Sequence, residues 1–334
     1  MGSSDAQFGR SFALQIASAQ DIVEVGSDLR VKFQITANDI ETPNTAVIRV
    51  YNLSDTRVRQ LVASPAGLTP LTAVPGRTRA QWEFSKIVLS AGYGENPGVI
   101  FEGTIKQFRR GKERNVDSFL EILAADGDIP YNRGVVNDSL PAGATVNQQF
   151  QGLVKAMGIP ADPSTTAVLA DSPYGGILPR GKVRFGLARY YMSDLAKTAN
   201  VRWSIQNGQL VLVPITGYLP GDAIKINSAT GMVGVPEANE QGVTVTTLLN
   251  PAIRVGYRVE INEADVTETV ISEQFFPEYN HLNLVATVDR STEGLYRVIV
   301  IEHEGDSRGI EWYTKLVCLS LDPSAAPNAA VSAA

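Results

Sequence analysis

The chain has 334 residues, a length typical of two or three domains, and 44 % of them are apolar, which is enough for buried cores. Its formal net charge of −6 at pH 7 argues against a general nucleic-acid-binding protein, because such proteins are normally basic. The single cysteine, Cys318, excludes an intrachain disulfide, and no apolar run is long enough to predict a membrane-spanning segment.

The N-terminal third shows the period-two pattern of β-strands. Residues 1–10 are polar and predict a flexible N-terminus. Residues 29–36 then alternate strictly between apolar and polar side chains, as in a strand with one buried face. Similar but less regular alternation marks residues 12–17, 46–51, 84–91 and 118–124. These strands predict an antiparallel barrel or sandwich over residues 11–125.

One helix and two loops are predicted within this first unit. Ser54 is placed to cap a helix over residues 55–63, and residues 64–80 hold three prolines and two glycines, which predict a long exposed loop. Residues 109–114 form the strongest basic run and lie between two strand patterns, which predicts a hairpin tip. A solvated loop is favoured there over a contact with nucleic acid or an acidic protein neighbour.

The pattern changes after Asp126-Gly127-Asp128, and residues 126–218 are predicted as a small α+β insert. Thr145 is placed to cap a helix that ends at Gly158, and a second helix is predicted from about residue 187 to 199, with a loop rich in Pro, Ser and Asp between them. Asn207-Gly208 then predicts a tight hairpin, because both residue types tolerate positive φ.

The last third returns to strand patterns, at residues 242–249, 252–261, 282–289, 295–303 and 310–321. They predict a second β-rich domain over residues 219–322. Residues 323–334 are small and interrupted by proline, which predicts a flexible tail. The predicted fold class is therefore mainly β, with two β-rich domains that bracket an α+β insert.

Few residues are placed for chemistry. The two histidines, His281 and His303, lie in no zinc-binding pattern, and neither a phosphate-binding loop nor a nucleophile elbow is present. The most enzyme-like string is His303-Glu304-Gly305-Asp306-Ser307. It fits a His/Asp pair that binds a metal or activates the serine, but a hairpin turn is favoured because its residue types are those of turns.

Two further motifs have a functional and a structural interpretation. Asp126 and Asp128 fit a calcium-binding or catalytic carboxylate pair, but a turn at a domain boundary is favoured, since the further ligands of an EF-hand are missing. Cys318 belongs to a stripe with Ile310, Trp312 and Leu316, which is read as the buried face of a strand rather than the lining of a ligand cavity. No catalytic, cofactor-binding or metal-binding residue is predicted.

Three segments resemble baseplate hub proteins of bacteriophage tails. The first contains Thr230-Gly231-Met232-Val233-Gly234-Val235-Pro236, Gly242-Val243-Thr244-Val245, Leu248-Leu249-Asn250-Pro251 and Gly256-Tyr257-Arg258-Val259. The second is the helix 187–199 with the hairpin around Trp203, and the third is the C-terminal hairpin with residues 303–309 and 312–314. The resemblance covers most of the chain after residue 187, and is weaker in the helix 145–157 and the early strands. The related group includes late control protein D of contractile tails and the start of type VI secretion spike proteins.

The resemblance implies a homotrimer in which each chain contributes two tube-like antiparallel β-barrel domains to a pseudo-sixfold ring. Such a ring adapts the sixfold tail tube, or a distal tube protein, to the threefold puncturing spike. It passes DNA and tape-measure protein through its lumen without sequence-specific binding, and contacts other baseplate proteins. The implied location is the virion baseplate, after assembly in the host cytoplasm. Neither enzyme activity nor a cofactor is implied.

The spike and any cell-wall enzyme are expected on separate chains, because the sequence ends in a small, Ala-rich segment. Two other functions stay open at this point. One is a β-rich cell-wall hydrolase, whose activity would depend on Asp306 or His303. The other is a carbohydrate- or receptor-binding module, which would show exposed aromatic platforms, whereas Trp82, Trp203 and Trp312 all lie in strand-like contexts.

Overall fold

A computed structural model describes residues 9–17, 22–62, 85–95, 97–114, 116–171, 177–239, 242–261, 267–268 and 294–320. Within these residues the strands are β1 Arg10–Ala17, β2 Ile22–Val25, β3 Val31–Asn38, β4 Thr45–Tyr51, β5 Lys86–Tyr93, β6 Gly98–Glu113, β7 Asp117–Ala125, β8 Val135–Leu140, β9 Lys182–Leu187, β10 Val201–Gln206, β11 Gln209–Pro214, β12 Ile224–Ile226, β13 Met232–Asn239, β14 Gly242–Leu248, β15 Arg258–Ile261, β16 Thr267–Glu268, β17 Leu295–Asp306 and β18 Trp312–Ser320. The α-helices are α1 Asp55–Val62, α2 Asp128–Arg133, α3 Val146–Met157, α4 Ser164–Asp171 and α5 Ala188–Ala199.

Fourteen of these strands form one sheet, in the order β16-β13-β14-β18-β17-β3-β4-β7-β6-β5-β1-β2, with β15 paired to β17 and β12 to β15. The pairs are antiparallel except β12–β15 and β13–β16. Two small antiparallel sheets, β8–β9 and β10–β11, stand apart from it. The mainly β class with an α+β part is therefore confirmed. The order has β16 and β2 at its two ends and does not close into a barrel within the described residues.

Strand β17 places the first and last thirds of the chain in one sheet. Its beginning pairs with β15, where Arg297 lies opposite Arg258, and its later residues pair with β3, where His303 lies opposite Ile35. Strand β18 follows β17 along its other edge, with a register shift between Val298 and Val300. Backbone hydrogen bonds therefore join segments that lie more than 250 positions apart.

Buried side chains fall into three hydrophobic clusters. The first lies in the first third but also takes Leu249 and Trp312 from the last third, and Phe33 meets Trp312 edge to face at 5.4 Å between ring centroids. The second fills the α+β part, between α3, α4, α5 and the β10–β11 hairpin, and the third lies around β14, β15, β17 and β18. Burial of each large apolar side chain contributes about 1.5–3 kcal/mol, so these clusters stabilise each part separately.

Several local signals lead to the predicted structure. Thr145 and Gln148 form a reciprocal capping box at the start of α3, and Gly158, with φ 69°, ends that helix. Asn200 ends α5 in the left-handed conformation, with φ 55°. Asn207 and Gly208 have φ 50° and 75° and connect β10 to β11. The predicted Thr145 cap, the end of α3 at Gly158 and the Asn207-Gly208 hairpin are therefore confirmed, as are the early strands and a helix after Ser54.

Other predictions differ from the structure. The loop predicted between α3 and α5 contains helix α4 and strand β9. Asp162 accepts the Ser164 N–H just before α4, and β9 pairs with β8, which lies far earlier in the chain. The strand predicted over residues 252–261 is formed only by β15, since Gly256 with φ 85° makes a turn before it. The predicted loop 64–80, strand 282–289 and tail 323–334, and nearly all of the predicted flexible N-terminus, lie outside the described residues.

Candidate functional site

The string 303–307 lies at the end of β17 and at the start of the turn to β18. His303 is 4 % exposed, and its Nδ1 lies 2.9 Å from the Thr314 hydroxyl on β18. Burial lowers the pKa of His303 to about 4, so its imidazole is neutral at pH 7. This histidine is therefore a hydrogen-bonded core side chain on the buried face of β17.

Asp306 binds a different partner. Its carboxylate accepts hydrogen bonds from Arg30, at 2.6 Å from Nη2 and 3.1 Å from Nε, and from the Arg308 N–H at 3.0 Å. Burial raises the pKa of the Asp306 carboxyl, but the Arg30 and backbone hydrogen bonds outweigh it and hold that pKa below its usual value. The ion pair joins the beginning of β3 to the end of β17.

Ser307 also bonds to the segment at the start of β3. Its hydroxyl accepts from the Val31 N–H at 2.9 Å and donates to the Leu29 carbonyl at 3.4 Å. The three polar side chains of the string therefore have separate partners, and no hydrogen bond joins them to one another among the described contacts. Their arrangement joins two strands and does not form a proton relay.

Asp126 and Asp128 flank Gly127 in the turn between β7 and α2. Gly127 has a φ of 70°, which glycine adopts readily. Asp126 is buried and accepts the Gly208 N–H at 2.9 Å, whereas Asp128 pairs with the Lys106 ammonium at 2.7 Å. Burial raises the pKa of Asp126 to about 7. Within the described part of the chain, no group of three or more His, Cys, Asp or Glu side chains is placed to hold a metal ion.

The basic run 109–114 is not a hairpin tip in the structure. Residues 109–113 continue β6 and pair with β7, and only Arg114, with φ 49°, begins the turn. Arg110 forms an ion pair with Asp55 of α1, and Arg109 lies 3.7 Å from Glu121. The prediction was wrong because pairing with β7, the next strand in the chain, extends β6 beyond its apolar part.

The stripe through Cys318 is the buried face of β18, since Trp312, Leu316 and Cys318 are each 0 % exposed, while Ile310 lies before the strand and is exposed. Burial raises the pKa of the Cys318 thiol far above its ordinary value, so it is not a thiolate. Trp203 is also buried, and neither it nor Trp312 offers an aromatic platform. Trp82 and His281 lie outside the described residues.

A buried polar junction that the sequence patterns did not predict connects the three parts of the chain. The β3–β4 loop contributes Asn44, whose Nδ2 donates to the Ile205 carbonyl and to Gln206 Oε1, each at 2.9 Å. Gln206 in turn donates to the Asn38 carbonyl at 2.6 Å. The Asp126 N–H donates to the Asn44 carbonyl, so the turn after β7 joins the same network.

Charged side chains complete this junction. Asp39, 3 % exposed, lies 3.0 Å from Arg202 of β10 and 3.7 Å from Arg297 of β17. Arg297 is 2 % exposed, and its Nη1 donates to three backbone carbonyls just after β11, those of Pro214, Ile215 and Gly217. Burial lowers the pKa of Arg297, while Asp39 opposes that shift.

The junction orients the α+β part against the large sheet. Asp39, Arg202 and Arg297 come from the first third, the insert and the last third. A buried charge is destabilising without an opposite charge nearby, so the carboxylate of Asp39 depends on the positions of both arginines. The one local sign of this junction in the sequence is Arg297, a charged residue within the apolar pattern of β17. Its chemistry is structural: it fixes relative positions and presents no open site.

None of the helices in the described part of the chain has the length and apolarity needed to cross a bilayer. The sequence matches the family model of baseplate hub gp41 over residues 11–266, which is most of the chain. No curated protein matches it.

Solved structures show the same fold. The 43 kDa tail protein of prophage MuSo2 from Shewanella oneidensis is 8 % identical, with a TM-score of 0.56, and the match covers 94 % of this chain and 99 % of that one. A tail protein from Neisseria meningitidis MC58 is 9 % identical, with a TM-score of 0.53 and coverages of 94 % and 97 %. The E. coli c3393 protein, a component of the type VI secretion system, is 8 % identical, with a TM-score of 0.50 and coverages of 93 % and 77 %.

At these identities the structural likeness concerns the fold alone, and the family match carries the assignment. The resemblance to tail hub proteins that the sequence showed is confirmed by that match. The chain belongs to the baseplate hub gp41 family of phage tail structural proteins.

Proposed function

We propose that this chain is the structural hub of a phage baseplate, a ring of three copies that adapts the sixfold tail tube to a threefold puncturing spike. The observation that carries the proposal is the family match over residues 11–266. The E. coli protein with the same fold is described as similar to the T4 bacteriophage tail proteins gp27 and gp5, which supports a place at the tail tip.

The proposed architecture has two tube-like antiparallel β-barrel domains, residues 11–125 and 219–322, around the insert 126–218. It is supported by the three hydrophobic clusters, each of which lies mainly in one of these ranges. Strand β17 pairs with strands of both β-barrel domains and would hold the two domains in one fixed orientation. In a ring, neighbouring copies would cover the edge strands β2 and β16, whose unpaired backbone groups could otherwise pair with other chains and cause aggregation.

The mechanism of such a hub is geometric and not enzymatic. The ring would contact a tube or distal tube protein above, the spike below, and other baseplate proteins at its sides, with DNA and tape-measure protein passing through its lumen. An overall charge of −6 favours weak contact with DNA, since phosphates are held by cations. No catalytic, metal or cofactor site is proposed. The proposed location is the virion baseplate after assembly in the host cytoplasm.

Electron cryo-microscopy of isolated tails tests the proposal. The expected result is a threefold ring of this chain between tube and spike. A single copy per tail tip, or a location away from the tube axis, would contradict it. Release of soluble fragments from purified peptidoglycan by the wild-type chain would contradict the non-enzymatic part, and His303→Ala would show whether that activity depends on this residue.

A further inference from the structure

The small β8–β9 sheet has an outward face that is apolar and uncovered. Val183 and Phe185 of β9 are 76 % and 73 % exposed, and Val135 of β8 is 52 % exposed. The opposite face is buried, with Val136 and Arg184 at 1 % and 2 % exposure, against helix α3. An antiparallel sheet with one face in water normally carries polar side chains there, so this face departs from the usual pattern.

The register shows that these side chains form one continuous surface. Val135 lies opposite Leu187, Asn137 opposite Phe185, and Ser139 opposite Val183, so all six side chains point to the same side. None of the six is charged. An exposed aromatic ring between apolar side chains on one flat face is the composition of a protein–protein interface.

One end of this face carries positive charge, because Arg180 lies just before β9 and is exposed. Two acidic side chains of the same part already have partners, since Asp138 binds Arg184 on the opposite face and Asp194 lies 3.0 Å from Lys182. A partner that covers the face therefore fits best if it brings apolar side chains together with acidic ones.

The last third of the chain is acidic in composition. Residues 219–334 carry 16 acidic and 7 basic side chains, whereas residues 126–218 carry 6 acidic and 8 basic ones and residues 1–125 carry 13 and 14. Asp222 and Glu237 are exposed in the described part of this last third, and so are the apolar Val233 and Val235 on strand β13. The last third thus combines both properties that the face requires.

We propose that the outward face of the β8–β9 sheet is the contact surface between copies, covered by the last third of an adjacent copy. This inference deepens the proposed ring and rests on it. Two different surfaces meet in such a contact, so it is head-to-tail, and contacts of that kind generate closed rings when the rotation between copies permits.

Phe185→Glu tests the surface directly, with Val116→Glu as the matched control, because Val116 is 82 % exposed on the β6–β7 turn. Sedimentation equilibrium of the purified full chain should show association at least about tenfold weaker for Phe185→Glu, as for other interface aromatic anchors. Val116→Glu should associate like the wild type. Phe185→Ser repeats the test without a new charge, and circular dichroism verifies that each variant is folded.

A photo-crosslinking amino acid at Val183 identifies the occupant. The expected result, in purified chain and in isolated tails, is a crosslink to residues 219–334 of another copy, located by mass spectrometry. A wild-type chain that is monomeric in both preparations would overturn the ring and this contact together. If the wild type assembles but Phe185→Glu assembles equally well, or if Val183 crosslinks to residues 1–218 or to a different protein, the surface assignment is wrong while the ring stands.

Discussion

Arg30 and Asp306 form an ion pair with 2.6 Å between Nη2 and Oδ2, although 276 positions separate them in the chain. Asp306 is 1 % exposed. The guanidinium of Arg30 also lies over the Tyr51 ring, 4.6 Å from its centroid. The ion pair lies at the end of the β3–β17 pairing and holds the two strands together there. It gives the enzyme-like string 303–307 a structural role.

Replacing Asp306 with Asn should lower the free energy of unfolding by about 2 kcal/mol, because a buried, charge-assisted hydrogen bond is lost. The carboxyl's pKa lies below its ordinary value of 3.8, so its contribution is present above pH 3.8 and is lost as pH falls towards the lower folded-state value. Urea unfolding at pH 7 and pH 3 measures both effects. Asp55→Asn, at an exposed ion pair, is the control and should leave stability unchanged.

Asp126→Asn should stabilise the protein at pH 8. The folded-state pKa of Asp126 is raised from 3.8 to about 7, so the folded state loses stability as pH rises through this interval, on the order of a few kcal/mol. The amide oxygen of Asn still accepts the Gly208 N–H but carries no charge. Unfolding free energies at pH 5, 7 and 8.5 should therefore depend less on pH in the variant. Equal slopes in wild type and variant would show that Asp126 is not the group responsible.

Arg297→Met should destabilise the chain by about 3–5 kcal/mol, since it leaves the buried Asp39 with Arg202 alone and removes the donor to three backbone carbonyls. Arg254→Met, at an exposed arginine in the same third, is the matched control and should change stability by less than about 0.5 kcal/mol. Thermal and urea unfolding of both variants provide the measurement. A small effect at Arg297 would mean that the junction does not hold the three parts together.

Asn44→Ala should loosen the insert without unfolding the large sheet. The variant removes the two hydrogen bonds from Asn44 to Ile205 and Gln206, and the one that its Oδ1 accepts from the Asn38 N–H. Hydrogen exchange should therefore become faster at the Gly208 N–H and in the β10–β11 turn, and stay unchanged in β4 and β7. Uniformly faster exchange would instead indicate global destabilisation.

Local signals predicted those elements whose causes are local. The alternation over residues 29–36 became β3, the Thr145 cap began α3, and Asn207-Gly208 made its hairpin, because each depends on side chains within a few positions. Strand β9 escaped prediction although residues 182–185 alternate between charged and apolar side chains, because its pairing partner β8 lies far earlier in the chain. The basic run 109–114 was misplaced because pairing with β7 decides how far β6 extends.

By itself, the sequence determined the mainly β class with its α+β part and the resemblance to tail hubs, because periodicity, turn residues and motifs are properties of short segments. Only the tertiary structure decided that β17 joins the first and last thirds, that Asp39, Arg202 and Arg297 meet, and that Asp306 binds Arg30. The physical reason is that the burial and pairing of charges depend on contacts between residues far apart in the chain, which no short pattern encodes.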